Sequence, residues 1–275
     1  KRWVESVENL DFTHSSRKSW SLIRRLGASQ RPPVQPRPAV SPNSVASHLL
    51  QVAKAPLSKL HRQSVRNEWR QYCRLKTVGL ERDIPEEFIV SEIDAVLHTM
   101  KAGSAAGYDN ILPEFLKHLG PKAKAWLASF CTRVIREKRM PRVWRQAKVI
   151  AIPKPGKDPN LAASYRPISL LSVCFKLLER LILHRISPIL EKTITVEQAG
   201  FRKGRSTADQ VLALTTYIEN GFQKNLKTGT IFLDLTAAYD TVWHAGLLLK
   251  LSKFLPRWVV EVIELFLRDR RFRVH

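Results

Sequence analysis

The chain has 275 residues, enough apolar content to bury a core, and 46 Lys and Arg against 24 Asp and Glu, a formal net charge of +22. That imbalance says nothing about fold but makes a polyanion the natural partner, nucleic acid before a membrane surface. No apolar run reaches the length of a membrane span and no signal-peptide pattern is present; Cys73, Cys131 and Cys174, far apart and odd in number, read as reduced thiols of an intracellular protein.

Residues 1–30 predict a short helical spacer with docking aromatics, ended by Gly27. Prolines at 32, 33, 36, 38 and 42 forbid helix and predict an extended, solvated linker over 31–42. Residues 43–88 read as a basic helical extension, helical to about Lys76 and kinked near Pro56. Its charges suit a solvated face or an RNA-facing one.

From residue 90 short helices alternate with strands. Ser91 heads "SEID", a capping-box pattern that opens a helix to about Met100. "AKAWLASFCTRVIREKRM" is an amphipathic helix, and "AKVIAIP" a strand halted by Pro153. After "YRPISL", the spacing of Phe175, Leu178, Leu181, Ile182 and Ile186 is helical. "STADQVLALTTYIENGFQ" is a capped helix with Gly221 near its end. "TIFLDL" reads as a strand of buried type driven into Asp234, and "HAGLLLKLSKFL", "PRWVVEVIELFLRD" and a basic strand "RFRVH" complete the chain. The start at Lys1 and the finish without a helix stop or polar tail make both ends look cut.

Three stretches offer chemistry. In "VIAIPKPGKDPNLAASYRPISLL" a strand delivers Lys154 to a Pro/Gly loop that returns at Arg166, a hairpin with a cation near each strand. Such a pair can clamp a triphosphate, Lys as a point charge and Arg as a bidentate fork; a surface hairpin with solvated cations fits the same spacing. "EQAGFRKGRSTADQ" sets two glycines and three cations before a helix N-terminus at Ser206. That is a cradle for backbone phosphate or a plain basic turn, and it lacks P-loop spacing. Asp234, at a strand end, can meet a polyanion that brings a divalent ion, because Mg²⁺ needs few protein carboxylates when phosphates and water fill its shell. It can equally cap the next element; a ribose-binding role lacks the upstream GxGxxG. Asp240 reads as a cap for the helix starting near Trp243 or His244, and His244 as structural.

In this order "KAGSAAGYDNILPEFLK" (101–117), the hairpin stretch (149–171), "QAGFRKGRSTADQ" (198–210) and "IFLDLTAAYDTVWHAGLLLKL" (231–251) resemble successive motifs of one family. It is the reverse transcriptases of non-long-terminal-repeat (LINE-like, Jockey-type) retrotransposons. The resemblance covers about residues 90–275. It implies an α/β fold of α+β type: right-hand polymerase fingers over 89–225 and a partial palm over 226–275, preceded by the helical N-terminal segment. It implies an RNA-directed DNA polymerase whose partners are an RNA template, a DNA primer or target and deoxynucleoside triphosphates, with two Mg²⁺ ions. By the same resemblance Asp234 is the first catalytic aspartate, holding Mg²⁺ with the carbonyl of Leu235. Tyr239 is the aromatic gate against a ribose 2′-hydroxyl, beside a floor kept free of bulk by Ala237 and Ala238. Lys154 and Arg166 hold the triphosphate, with Lys157 competing for the lysine role. Phe201 and Arg202 lie against template and nucleotide.

The family's Gly-x-Pro-Gln-Gly-Ser stretch and aromatic-x-Asp-Asp turn do not occur, and the chain has no Asp-Asp pair. The expectation is a fragment truncated within the palm and inactive alone. A non-catalytic RNA-binding remnant and a group II intron maturase compete with this reading; the long loop from Lys154 to Arg166 and "AAGYDNI" favour the retrotransposon group. No membrane partner is expected, and the location implied is intracellular, nucleus and cytoplasm.

Overall fold

The computed structural model describes residues 40–54, 58–74, 85–235 and 237–275. The helical spacer of 1–30 and most of the proline linker lie outside them. The described chain opens with α1 (Pro42–Val52), where Ser41 accepts the Ser44 N–H at 3.1 Å and Pro42 occupies the first turn. A second helix, α2 (Lys59–Arg74), follows. The described part of the basic extension is therefore two helices, with Pro56 between them in sequence; the expected helix end near Lys76 lies outside the described residues. α2 docks inward through Val65 and Trp69, and its His61 ring meets Trp243 at 5.8 Å between centroids.

Helices, a hairpin and a further long helix come next. α3 (Val90–Thr99), α4 (Pro113–Lys117) and α5 (Pro121–Glu137) precede β1 (Gln146–Pro153) and β2 (Tyr165–Leu170), and α6 (Val173–Thr193) leaves β2 directly. The cap of α3 is shifted from the one that "SEID" suggests. Ile89 is the N-cap and its N–H donates to Glu92 at 3.1 Å, so Glu92 closes the first turn and Ser91 lies inside the helix. Asp94 is drawn away instead by Lys124 of α5, at 2.7 Å.

α7 (Thr207–Gln223), α8 (His244–Leu251), α9 (Arg257–Leu267) and β3 (Arg271–Val274) complete the elements. Ser206 and Asp209 cap α7 reciprocally, as its sequence predicts. α6 is the centre of the core: Val173, Phe175, Leu177, Leu178 and Leu181 are fully buried, packed with α3, α5 and α9 through Ile93, Cys131 and Val259. The sheet has the order β2-β1-β3, with β1 antiparallel to β2 and parallel to β3. α1 covers one face of it, joining Val45 to Val149 and Val274.

"TIFLDL" departs from expectation. Residues 230–235 pair with no strand, and their apolar side chains face solvent, Phe232 at 81 % and Leu233 at 89 % exposure. A strand is completed only by a neighbour that takes its backbone hydrogen bonds. The central strand β1 already has both edges filled, and no described residue serves 230–235.

The 101–117 stretch has a structural use. A Cβ on Gly107 would lie 2.6 Å from the Ser172 amide nitrogen and 2.7 Å from the Leu171 carbonyl carbon, both backbone atoms that cannot swing away. Beside it Asp109 Oδ2 accepts from Ser172 Oγ at 2.5 Å, and Ser172 is the buried N-cap of α6. Gly107→Ala is therefore expected to destabilise the protein by about 1–3 kcal/mol through overpacking. Gly229→Ala, which meets nothing within 4 Å, should stay within about 0.5 kcal/mol. Chemical denaturation of the two variants checks the contrast.

Candidate active site

The hairpin is a self-tied clasp. Lys154 N–H donates to Ser164 O at 2.7 Å and Lys154 Nζ to Ala163 O at 2.7 Å. Tyr165 Oη reaches back to Pro159 O at 2.9 Å, and Asp158 Oδ1 accepts the Asn160 N–H at 2.9 Å. Register sets Ile152 opposite Arg166, so Arg166 and Lys154 flank one mouth of the clasp. Arg166 and Lys157 are exposed and Lys154 is half-buried. The two predicted triphosphate cations are thus neighbours, held by backbone geometry.

The loop before α7 divides its two candidates. Arg202 donates to Glu191 Oε2 at 2.7 Å, to Thr195 O at 2.8 Å and to Gln198 O at 3.2 Å. Its side chain is 11 % exposed, so in this structure it ties the loop to the end of α6 instead of reaching outward. Phe201 does the opposite. Its backbone is left-handed, φ 61°, and its ring is 97 % exposed. That ring stands edge-on to Tyr239, with centroids 5.9 Å apart and planes at 85°. Ala237, two residues before Tyr239, is also left-handed at φ 49°. A non-glycine residue there costs of order 1 kcal/mol, and such residues concentrate at functional sites. The fold brings together aromatics that lie 38 positions apart in sequence.

Asp234 and Leu235 end the unpaired extended run and are exposed, as is Ala238. Asp240 does not cap α8: the N-cap is Trp243, with no side-chain cap bond, and Asp240 is exposed in the turn closed by Thr241 N–H on Ala237 O at 3.1 Å. That turn ends before α8 begins, which puts Asp240 too far upstream to reach its first amides. His244 is exposed in the first turn of α8. Among the described residues no three His, Cys, Asp or Glu side chains gather into a metal-binding group. One exposed carboxylate with a backbone carbonyl does not by itself fill the shell of a divalent ion, and the described residues do not amount to a two-ion site.

The two buried cysteines are structural. Burial pushes Cys131 up to about 12 and Cys174 up to about 11, which leaves both protonated and unreactive. Residue spacing alone did not single out the lock of Gly107 and Asp109 on Ser172. Its only trace is the Gly-x-Asp of "AAGYDN", and the partner is 63 positions away.

Residues 152–274 match the family model described as reverse transcriptase (RNA-dependent DNA polymerase). The chain is 37 % identical over 187 residues to a probable RNA-directed DNA polymerase from transposon BS of Drosophila melanogaster, an alignment covering 67 % of this chain and 21 % of that protein. It is 35 % identical over 199 residues to the probable RNA-directed DNA polymerase from transposon X-element of the same fly, 71 % of this chain and 22 % of that protein. With the RNA-directed DNA polymerase from mobile element jockey of Drosophila funebris it shares 33 % over 187 residues, 67 % and 20 % of the two chains. The chain spans about a fifth of the length of these curated relatives. From the ordered motifs, the mixed helix-and-sheet fold that carries them and these likenesses, the chain belongs to the reverse transcriptases of non-long-terminal-repeat, LINE-like retrotransposons.

Proposed function

We propose that the chain is the nucleotide- and template-handling part of an RNA-directed DNA polymerase that adds deoxynucleotides to a primer on an RNA template. The observation that carries the reading is the hairpin register, which places Arg166 beside Lys154 at a clasp tied by its own backbone. Fixed cations at that mouth stabilise the charge that develops on the β and γ phosphates as pyrophosphate leaves. Tyr239, braced edge-on by Phe201, is the gate against a ribose 2′-hydroxyl, and Ala238 leaves room for the sugar. Asp234, with the Leu235 carbonyl, is this chain's contribution to the divalent-ion chemistry that the family uses; two Mg²⁺ ions, an RNA template and a DNA primer or target are the ligands implied. The buried thiols of Cys131 and Cys174 support an intracellular location, nucleus and cytoplasm.

The test is equilibrium binding of a deoxynucleoside triphosphate with Mg²⁺ to the 275-residue chain. Lys154→Ala and Arg166→Ala should each weaken it by about 10- to 100-fold, the worth of a charged hydrogen bond of about 1.5–3 kcal/mol. Arg166→Lys should also weaken it, since a point charge cannot reproduce a bidentate fork. Affinity equal to wild type in all three variants would favour a hairpin of merely solvated cations.

A further inference from the structure

A ladder of aromatic rings runs from the core to the surface beside α5. Phe175 meets Trp144 at 6.2 Å between centroids, Trp144 stands edge-on to Phe130 at 5.8 Å, and Phe130 stacks on Trp126 at 5.1 Å with planes 10° apart. The inner two rings are buried, and the outermost, Trp126, is 65 % exposed. Trp126 thus presents a large flat ring braced from behind, which has little rotamer freedom left to lose on binding. The chain reverses next to it. Lys138, left-handed at φ 54°, caps α5, and Arg139 N–H donates back to Val134 O at 3.3 Å. The reversal sets Met140 and Pro141 against the last turns of α5 and leaves an open cavity of about 280 Å³. Phe130, Val134, Met140 and Pro141 line it, and Arg133, Glu137 and Arg139 form its rim. Most charges around it are engaged: Arg133 holds Glu137 at 2.6 Å, Arg136 holds Glu87 at 2.7 Å, Lys138 holds Glu261, and Arg145 holds Asp269 at 2.8 Å. Arg139 and Arg142 are exposed, and neither side chain has a partner among the described residues.

We propose that this surface docks an acidic segment of a partner protein, with a large apolar side chain seated in the cavity beside Phe130 and Trp126 and carboxylates on Arg139 and Arg142. The cavity falls just below the range of about 300–1,000 Å³ typical of small-molecule sites, so it suits one inserted side chain better than a free ligand. The two uncompensated guanidinium groups call for negative charge, and each can take a carboxylate through a bidentate fork. Exposed Trp and Arg around a Met-lined hollow are also the residue types that interfaces between proteins concentrate. A phosphate backbone gains nothing from the apolar lining and meets the Glu137 carboxylate at the rim. A second copy of the chain, itself at net +22, is opposed by like charge. None of these residues belongs to the Lys154–Arg166 clasp or to the Phe201–Tyr239 pair, so the proposal is independent of the polymerase reading.

The experiment is fluorescence anisotropy of a labelled peptide, Asp-Glu-Leu-Phe-Asp-Glu-Leu, titrated with the 275-residue chain. Trp126→Ser should weaken binding by about 30-fold, the scale of one interface hot spot. Arg139→Gln with Arg142→Gln should weaken it by about 10-fold or more, the worth of a lost charged hydrogen bond. These arginines are exposed, so the double variant guards against misfolding of the Trp126 variant, and circular dichroism checks both. A peptide with Ser in place of Leu and Phe keeps the charge and should also bind about 30-fold more weakly. Arg66→Gln with Arg70→Gln, on the exposed side of α2, should leave the affinity unchanged. No binding by wild type, wild-type affinity in the folded variants, an equal loss in the α2 variant, or equal binding of the Ser peptide would overturn the proposal. So would self-association of wild type that Trp126→Ser abolishes, which would make a second copy the occupant. A Trp126→Ser variant that loses affinity for single-stranded RNA and keeps it for the peptide would make this a nucleic-acid surface and overturn the proposal as well.

Discussion

Given a primer, an RNA template, deoxynucleoside triphosphates and Mg²⁺, the 275-residue chain should extend nothing above the level of a protein-free control. Two-ion nucleotidyl transfer needs carboxylates on both sides of the reacting phosphate. In the matched motif this chain offers Asp234 alone, and there is no Asp-Asp pair anywhere in its sequence. Asp234 also ends an exposed run that no described strand supports, so no described strand pairing holds it in position. Asp240 cannot take the second role, since it lies in a separate exposed turn. A gel-resolved primer-extension assay reads the result. Template-dependent product that disappears on Asp234→Ala would show that the chain assembles a working site from other donors.

Arg185→Ala should cost about 2–4 kcal/mol, near the lower range for breaking a well-bonded, mostly buried ion pair. Arg185 forks onto Glu92 at 2.8 Å through both Nε and Nη2, and donates to Glu86 O at 2.7 Å and Glu87 O at 2.8 Å. Its guanidinium lies 4.1 Å over the Phe88 ring. One side chain on α6 thereby fastens the lead-in to α3, and its removal strands the carboxylate that caps that helix. Arg185→Lys recovers little, because an ammonium cannot hold a fork and two carbonyls together. The hydrogen bond from Arg185 holds the Glu92 carboxyl below its ordinary value near 4.5; partial burial opposes this and the Ile89 N–H assists it. A depressed carboxylate contributes stability that is present above the unfolded value and is lost as pH falls through the folded one. Wild type should thus lose stability below about pH 4.5, and Arg185→Ala should show a flatter acid limb. Urea unfolding at pH 7 and at pH 4 measures both effects. Equal stability of the two proteins at pH 7 would show that the lead-in is held by other interactions.

The helices of the core were legible from periodicity, since Phe175, Leu178, Leu181, Ile182 and Ile186 are buried as their spacing demands. So were the hairpin and the capped helix at Ser206, where turn and cap residues act on their immediate neighbours. Local chemistry failed where competition came from outside the segment. Asp94 had the spacing of a cap, but Lys124 claims it, and Glu92 caps instead because Arg185 holds it in place.

By itself the sequence determined the family, the order of its motifs and the identities of Lys154, Arg166, Phe201, Asp234 and Tyr239, because those depend on residue type and spacing along the chain. Tertiary structure alone decided which of them meet. It paired Phe201 with Tyr239, turned Arg202 inward onto Glu191, and left residues 230–235 without a strand partner among the described residues. It also aligned Lys148 with Arg273 from segments 125 positions apart. Strand partners and long-range ion pairs are contests among distant groups for the same hydrogen bonds, and their outcome depends on which edges and charges the folded core leaves open.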